Sequence, residues 1–427
     1  MFYIPFQIIK GEIKMNKFKL SMACLMIMSL DIVAEEKQHI EVQSVRGILG
    51  DYDLLEHTQG QLRAGYIGFA ENTLAQTDGF ALGGHYHLNT KEYYGLKIGA
   101  EVYTVLNLAL NQKSLNVNSD FFDKNSKSFI LLSQAYLSGK WGNTEIKLGR
   151  QTLDTPHADS DDIRMMPNYF EAYTMTNTDI DNLTLTVGMI DKMSGWENGI
   201  DSPKFVDVGE TLGVHKIDGI YYASASYEGV KNLSVALWYY HYSDIANILY
   251  AEAGYNIALT STNTLTLGLQ YDQSQESGSA LLGKQDAQTF GLNLEAKFDT
   301  LGITLLAAYN QDNSDTGAMP LSLGGGALFT SMEDQTLDAM GTHGSAWVVG
   351  AGYNFKNLAL DNLIFGIAYG NFEAKDNSVY KSTEIDAVLE YNFNEKFSFT
   401  AALALVDFKV KSMNDYEQFR IITNYNF

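Results

Sequence analysis

The segment "NTLTLGLQYDQ" (Asn263–Gln273) decides how this chain is read. Leu265, Leu267, Leu269 and Tyr271 fall on one face of an extended backbone, and Thr264, Thr266, Gly268 and Gln270 on the other. Only a strand puts alternate side chains on one face, so a period of two marks a strand with one apolar and one polar side. "FGLNLEAKF" sets Phe290, Leu292, Leu294, Ala296 and Phe298 against Gly291, Asn293, Glu295 and Lys297. "TEIDAVLEYNF" sets Ile385, Ala387, Leu389, Tyr391 and Phe393 against Glu384, Asp386, Val388, Glu390 and Asn392.

Eighteen such segments run along the chain, near 60–70, 79–89, 93–105, 128–140, 143–152, 168–177, 183–192, 218–228, 232–243, 246–257, 263–273, 288–298, 302–310, 345–355, 362–373, 380–393, 396–409 and 415–427. Short links such as "NTKE", "WGN" and "FNEK" alternate with long ones, the longest at 106–127, 193–217, 274–287 and 311–344. Tight turns on one rim and long loops on the other fit an all-β fold, a transmembrane antiparallel β-barrel of about 18 strands. A soluble sandwich with this pattern, the weaker alternative, would have its polar face in water. In lipid every backbone N–H and C=O must pair internally, so strands survive there only in a closed barrel. Eighteen strands leave a bore too wide for side chains to fill, so the polar face lines water.

The N-terminus carries an export signal: Lys17 and Lys19, the apolar "LSMACLMIMSL", then "DIVA" ending at Ala34. Residues 1–34 form this signal, with 1–14 an extension from an over-early start; 35–59 is a periplasmic segment and 60–427 the barrel. The lone Cys24 lies in the signal, which excludes disulfides and thiolate metal sites from the mature chain. A net charge of −22 makes nucleic acid a poor partner. The last strand, "EQFRIITNYNF", ends with Tyr425 and terminal Phe427 on its apolar face, the pattern of a signal for the outer-membrane assembly machinery.

With the apolar face toward lipid, Arg63, His85, His87, Lys97, Lys147 and Arg420 face the lumen. They belong to strands one, two, three, five and eighteen, which closure makes one basic arc, interrupted by Glu101 and Glu145. Glu295, Glu384, Asp386 and Glu390 supply an acidic set from strands twelve and sixteen. Opposed charges across a pore orient a solute and screen by sign.

The densest charged stretch is "GRQTLDTPHADSDDIRMMP" (Gly149–Pro167). Its candidates for a pore constriction are Asp154, His157, Asp159, Asp161, Asp162 and Arg164. Arg150 breaks the alternation, since it would face lipid unless it lies above the membrane or follows a bulge. The carboxylates also offer hard oxygen ligands for calcium, without EF-hand spacing. The dispersed histidines form no zinc motif and no nucleophile elbow appears, so an enzyme inside the barrel is the weaker alternative.

At "LGRQTLDTPHADSDDIRMMPNYFEAY" the chain resembles the OprD-type outer-membrane porins, and the strand count and loop rhythm extend that resemblance across about 35–427. The shared elements are Gln151, Thr155-Pro156, Asp162-Ile163-Arg164 and Met165-Met166-Pro167. "PLSLGGGALFTSMEDQTLDAMG" (Pro320–Gly341) looks like a long loop of the epsilonproteobacterial branch. The resemblance implies an eighteen-stranded monomer or loose homotrimer in the Gram-negative outer membrane, in contact with lipid and lipopolysaccharide. It implies passive diffusion of small polar or charged solutes, no cofactor, and a third long loop folded inward at 153–167. Arg63, Lys97, Lys147 and Arg420 would form a basic ladder. Only five arginines and an acidic loop depart from that pattern, which makes a cation-preferring porin the alternative.

Overall fold

The computed structural model describes residues 54–427 apart from 73–75, 111–115, 320, 325 and 361. The expected export signal at 1–34 and residues 35–53 lie outside the described residues. Each of the eighteen expected segments overlaps one long strand. The strands are β1 (Leu55–Glu71), β2 (Thr77–Thr90), β3 (Leu96–Asn107), β4 (Phe129–Trp141), β5 (Thr144–Gln151) and β6 (Tyr169–Asn177). They continue as β7 (Leu183–Ser194), β8 (Ile220–Tyr227), β9 (Leu233–Tyr242), β10 (Ala246–Ala258), β11 (Asn263–Glu276) and β12 (Gln288–Phe298). The last six are β13 (Ile303–Asp312), β14 (Gly344–Asn354), β15 (Leu363–Ala374), β16 (Lys381–Asn392), β17 (Phe397–Phe408) and β18 (Tyr416–Asn426).

Every long strand pairs antiparallel with its successor, and β18 pairs with β1 through Tyr66↔Ile421 and Arg63↔Asn424, which closes the sheet. Closure leaves no edge with unpaired backbone groups, the condition for standing in lipid. No helix among the described residues is long and apolar enough to cross a membrane. β1 begins at Leu55, ahead of its apolar alternation, because its first residues still pair with the end of β2.

The faces are inside-out relative to a soluble protein. Ile130 is 72% exposed and Leu269 58% on the outer face, whereas Gln270 is 4% exposed inside. Tyr93, Tyr94, Trp141, Tyr239 and Phe365 add exposed rings near the strand ends, where amphipathic aromatics sit at a membrane interface.

Buried apolar clusters lie inside the barrel, where the long loops fold onto the wall. One gathers Ile67, Tyr103, Phe121, Met165, Met166 and Tyr169. Burying each of the two methionines contributes about 1.5–3 kcal/mol. A Cβ at Gly65 would stand 2.4 Å from the Met165 sulfur, so this glycine of β1 makes room for the loop. A second cluster joins Leu153, Ala158, Tyr240 and Leu323, and a third Leu328, Leu337, Met340 and Phe372.

Candidate constriction site

The segment between β5 and β6 begins as a tight hairpin, Asp154–Thr155 against Ala158–Asp159. The Thr155 hydroxyl donates to the Ala158 carbonyl at 2.9 Å across its Pro156–His157 tip. His157 is buried, with Nε2 2.9 Å from Asp272 Oδ2 on β11 and its ring edge-on to Tyr240 and Tyr250. The Leu323 N–H donates to the His157 carbonyl at 2.9 Å, and the Asp159 N–H to the Leu323 carbonyl at 3.2 Å. The loop between β13 and β14 is thereby laced to the hairpin.

Three residues beyond the hairpin the chain reaches β1. The Arg63 Nη1 and Nη2 donate to the two Asp162 oxygens at 2.5 and 2.6 Å, Nη1 also donates to the Arg164 carbonyl, and Nε to Asn424 Oδ1 at 2.7 Å. A bidentate pair of this kind fixes orientation as well as charge. Round the ring, β11 stands ten strands from β1 one way and eight the other. Residues 157–162 therefore join side chains on facing walls.

Arg164 is buried beside this span. Its Nε lies 3.9 Å from Asp120 Oδ2 and its guanidinium 5.3 Å from the Trp196 ring centre, and Trp196 Nε1 donates to the Asp161 carbonyl at 3.1 Å. Burial, with Arg420 nearby, pulls the Arg164 guanidinium below its usual range. Burial, then Asp159 and Glu333, pushes the Asp161 carboxyl up to about 6. Burial, then Asp161 and Asp338, pushes Glu197 up to about 7. Removing water penalises the charged form, and neighbouring carboxylates add to that penalty.

The β13–β14 loop is held by acids of the wall. Glu384 accepts the N–H groups of Asp334 and Gln335 at 3.0 and 2.8 Å, and Asp386 that of Glu333 at 3.1 Å. Arg420 on β18 pairs with Glu333. A cavity of about 750 Å³ lies between this loop, the hairpin segment and the wall. Seven of its lining residues are acids, Asp161, Glu197, Glu295, Glu333, Asp334, Asp338 and Asp386, against one base, Arg164.

The basic residues stand on β18, β1, β2, β3 and β5, with β4 intervening, and each has a partner. His85 and His87 lie 3.9 and 3.3 Å from Glu101, Lys97 2.6 Å from Glu56, and Lys147 4.1 Å from the centre of the Tyr136 ring. Glu101 also accepts from Ser133, Gln134 and the Tyr169 hydroxyl. Ser133 reaches it because β4 carries one extra residue there, between the pairings Glu101↔Gln134 and Val102↔Leu132. Glu295 pairs with Lys297 at 2.9 Å, and Glu390 is exposed lower on β16. Arg150 lies at the upper end of β5, over the Phe205 ring and 3.5 Å from Glu171.

The four aspartates of the loop point different ways: Asp162 to Arg63, Asp161 to the cavity, Asp154 and Asp159 along the hairpin. Among the described residues no group of three or more His, Cys, Asp or Glu side chains is placed to hold a metal ion. Asp272, Trp196, Glu197 and Glu333 escaped the sequence reading. All four meet the segment from distant loops or strands, with no spacing signal to reveal them.

The fold matches solved structures. One is Pseudomonas aeruginosa OccK9 (OpdG), with TM-score 0.75 and 19% identity over 88% of this chain and 98% of that one. Acinetobacter baumannii OccAB3 matches with TM-score 0.74 and 16% identity, over 88% and 99%. Pseudomonas aeruginosa OpdK, solved with vanillate, matches with TM-score 0.70 and 18% identity, over 88% and 99%. No curated protein matches the chain. Residues 97–427 match the family described as outer membrane porin, OprD family, and the chain belongs to that family.

Proposed function

We propose that the segment 153–167 narrows the water-filled channel of this outer-membrane porin and sets which small polar or charged solutes diffuse through it. The observation that carries this is the tie of one short segment to β11 through His157 and to β1 through Asp162. A loop held at both ends across the lumen leaves solutes only the space beside it. Transport is passive, without a covalent step; lipid and lipopolysaccharide surround the barrel. The strand ending in Tyr425 and Phe427 serves as its assembly signal, in a monomer or homotrimer of an epsilonproteobacterial type. Single-channel recording in planar bilayers tests the constriction. Asp162→Ala and Arg164→Ala are expected to change conductance or selectivity with the barrel intact, and unchanged currents in both would remove the assignment.

The cavity favours a second reading, that cations pass better than anions. Of the seven acids that line the cavity with Arg164, Glu295 and Glu333 are paired with Lys297 and Arg420, and the rest, once ionised at pH 8, create a negative potential that concentrates cations and repels anions. The reversal potential under a salt gradient gives the sign directly.

A further inference from the structure

The inner wall of β14 and β15 is bare where the cavity meets it. Gly352 pairs with Gly366, Thr304 pairs with Gly352 on one side, and Val388 with Gly366 on the other. In the next row Gly350 pairs with Ala368, flanked through Leu306 and Asp386. Small side chains thus form a trough across neighbouring strands, and both glycines line the cavity.

Most glycines of this barrel have an evident packing role, but these two do not. A Cβ at Gly60 would meet the Phe427 ring at 2.3 Å, at Gly99 the Tyr136 ring at 2.2 Å, and at Gly188 the Tyr222 ring at 2.4 Å. At Gly366 an added Cβ meets nothing within 4 Å, and at Gly352 only ordinary contacts from 3.7 Å. Neither glycine has the left-handed backbone that would demand it. A strand glycine is less stable there than alanine would be, and a bare one marks where something else approaches the backbone closely.

We propose that Gly352 and Gly366 are size-determining residues of the channel: the trough is the floor along which a solute slides past the loop, and a side chain there narrows the passage. This rests on the channel reading but not on the identity of the narrowing loop. Glu295, paired with Lys297, and Asp386, which accepts the Glu333 N–H, stand at the flanks of the trough, and it is the excess of acids over bases in the cavity as a whole that points to a small organic cation whose body lies on the bare backbone.

The test uses the full-length chain in planar bilayers, with tetraalkylammonium ions of increasing size as probes. Gly366→Ala, Gly366→Leu and Gly352→Leu are expected to lower conductance in order of side-chain size, by about twofold or more for leucine, and to exclude smaller members of the series. Should a leucine variant fail to assemble, Gly366→Cys in a Cys24→Ser background is modified after insertion. A cationic methanethiosulfonate reagent should then cut the current, and an anionic one should react more slowly. Unchanged conductance and size cut-off in the assembled leucine variants, or no effect of modification, would overturn the proposal. Equal rates for the two reagents would remove the cationic solute class. Absence of current from the wild-type barrel would instead strike the channel reading itself.

Discussion

His157 Nε2 lies 2.9 Å from Asp272 Oδ2 with both side chains buried, at the end of a segment whose other end is held on Arg63. The first contact pins the hairpin to β11, and the second sets the path of residues 160–164 against β1. Removing one partner of a buried hydrogen bond leaves the other unsatisfied and costs about 1–3 kcal/mol. Asp272→Ala should therefore free the hairpin locally while the closed sheet persists. Arg164, now only 7% exposed, would become open to trypsin. Limited proteolysis of the membrane-inserted protein should show a nick after Arg164 in the variant alone; equal protection would mean the other contacts suffice.

Arg63 and Asp162 act as one unit, because three guanidinium nitrogens have fixed partners and two of them converge on one carboxylate. Arg63→Gln and Asp162→Asn should alter conductance in the same direction, and the double variant should go little further than either single one. Additive changes would show that the two side chains influence the current independently.

The barrel was legible in the sequence because its two faces meet different solvents. Leu267 and Gly268, or Ile385 and Asp386, differ in polarity for that reason alone, and closure then placed the strand of Arg420 beside that of Arg63. What the loops do was not legible. His157 and Asp272 are joined by a fold-back that no periodicity encodes, and a carboxylate such as Asp162 reads the same whether it is free or bound to Arg63. Gly188 and Gly366 are identical letters, yet one lies under a tyrosine ring and the other faces empty space.

Charge selectivity should depend on pH in a stated direction. A carboxyl is neutral below its pKa and charged above it, and burial places Asp161 at about 6 and Glu197 at about 7. Between pH 8 and pH 5 both lose their charge, while Arg164 on the same cavity stays positive. Burial also raises the carboxyls of Asp159, Asp334 and Asp338 nearby. The cation-to-anion permeability ratio is expected to be highest at pH 8 and to fall toward pH 5, with Glu197→Gln flattening the upper half of the change. Reversal potentials that stay constant over this range would count against these acids as the selecting charges.

The seam of the barrel yields the last prediction. Gly60 and Phe427 exchange backbone hydrogen bonds, N to O at 2.9 Å in each direction, and the Phe427 ring covers the bare Cα of Gly60. A Cβ at Gly60 would sit 2.3 Å from that ring, so any side chain there expels it. The ring is 55% exposed on the outer face, where lipid or the assembly machinery can reach it. Gly60→Val should leave Phe427 present and displace only its seat, whereas deletion of Phe427 removes both. If the ring serves only to cover the seam, the two variants should reduce heat-resistant folded barrel in semi-native gels to a similar degree. If the assembly machinery reads Phe427, deletion should lower the amount reaching the outer membrane much further than Gly60→Val, with equal folding of both purified chains into detergent.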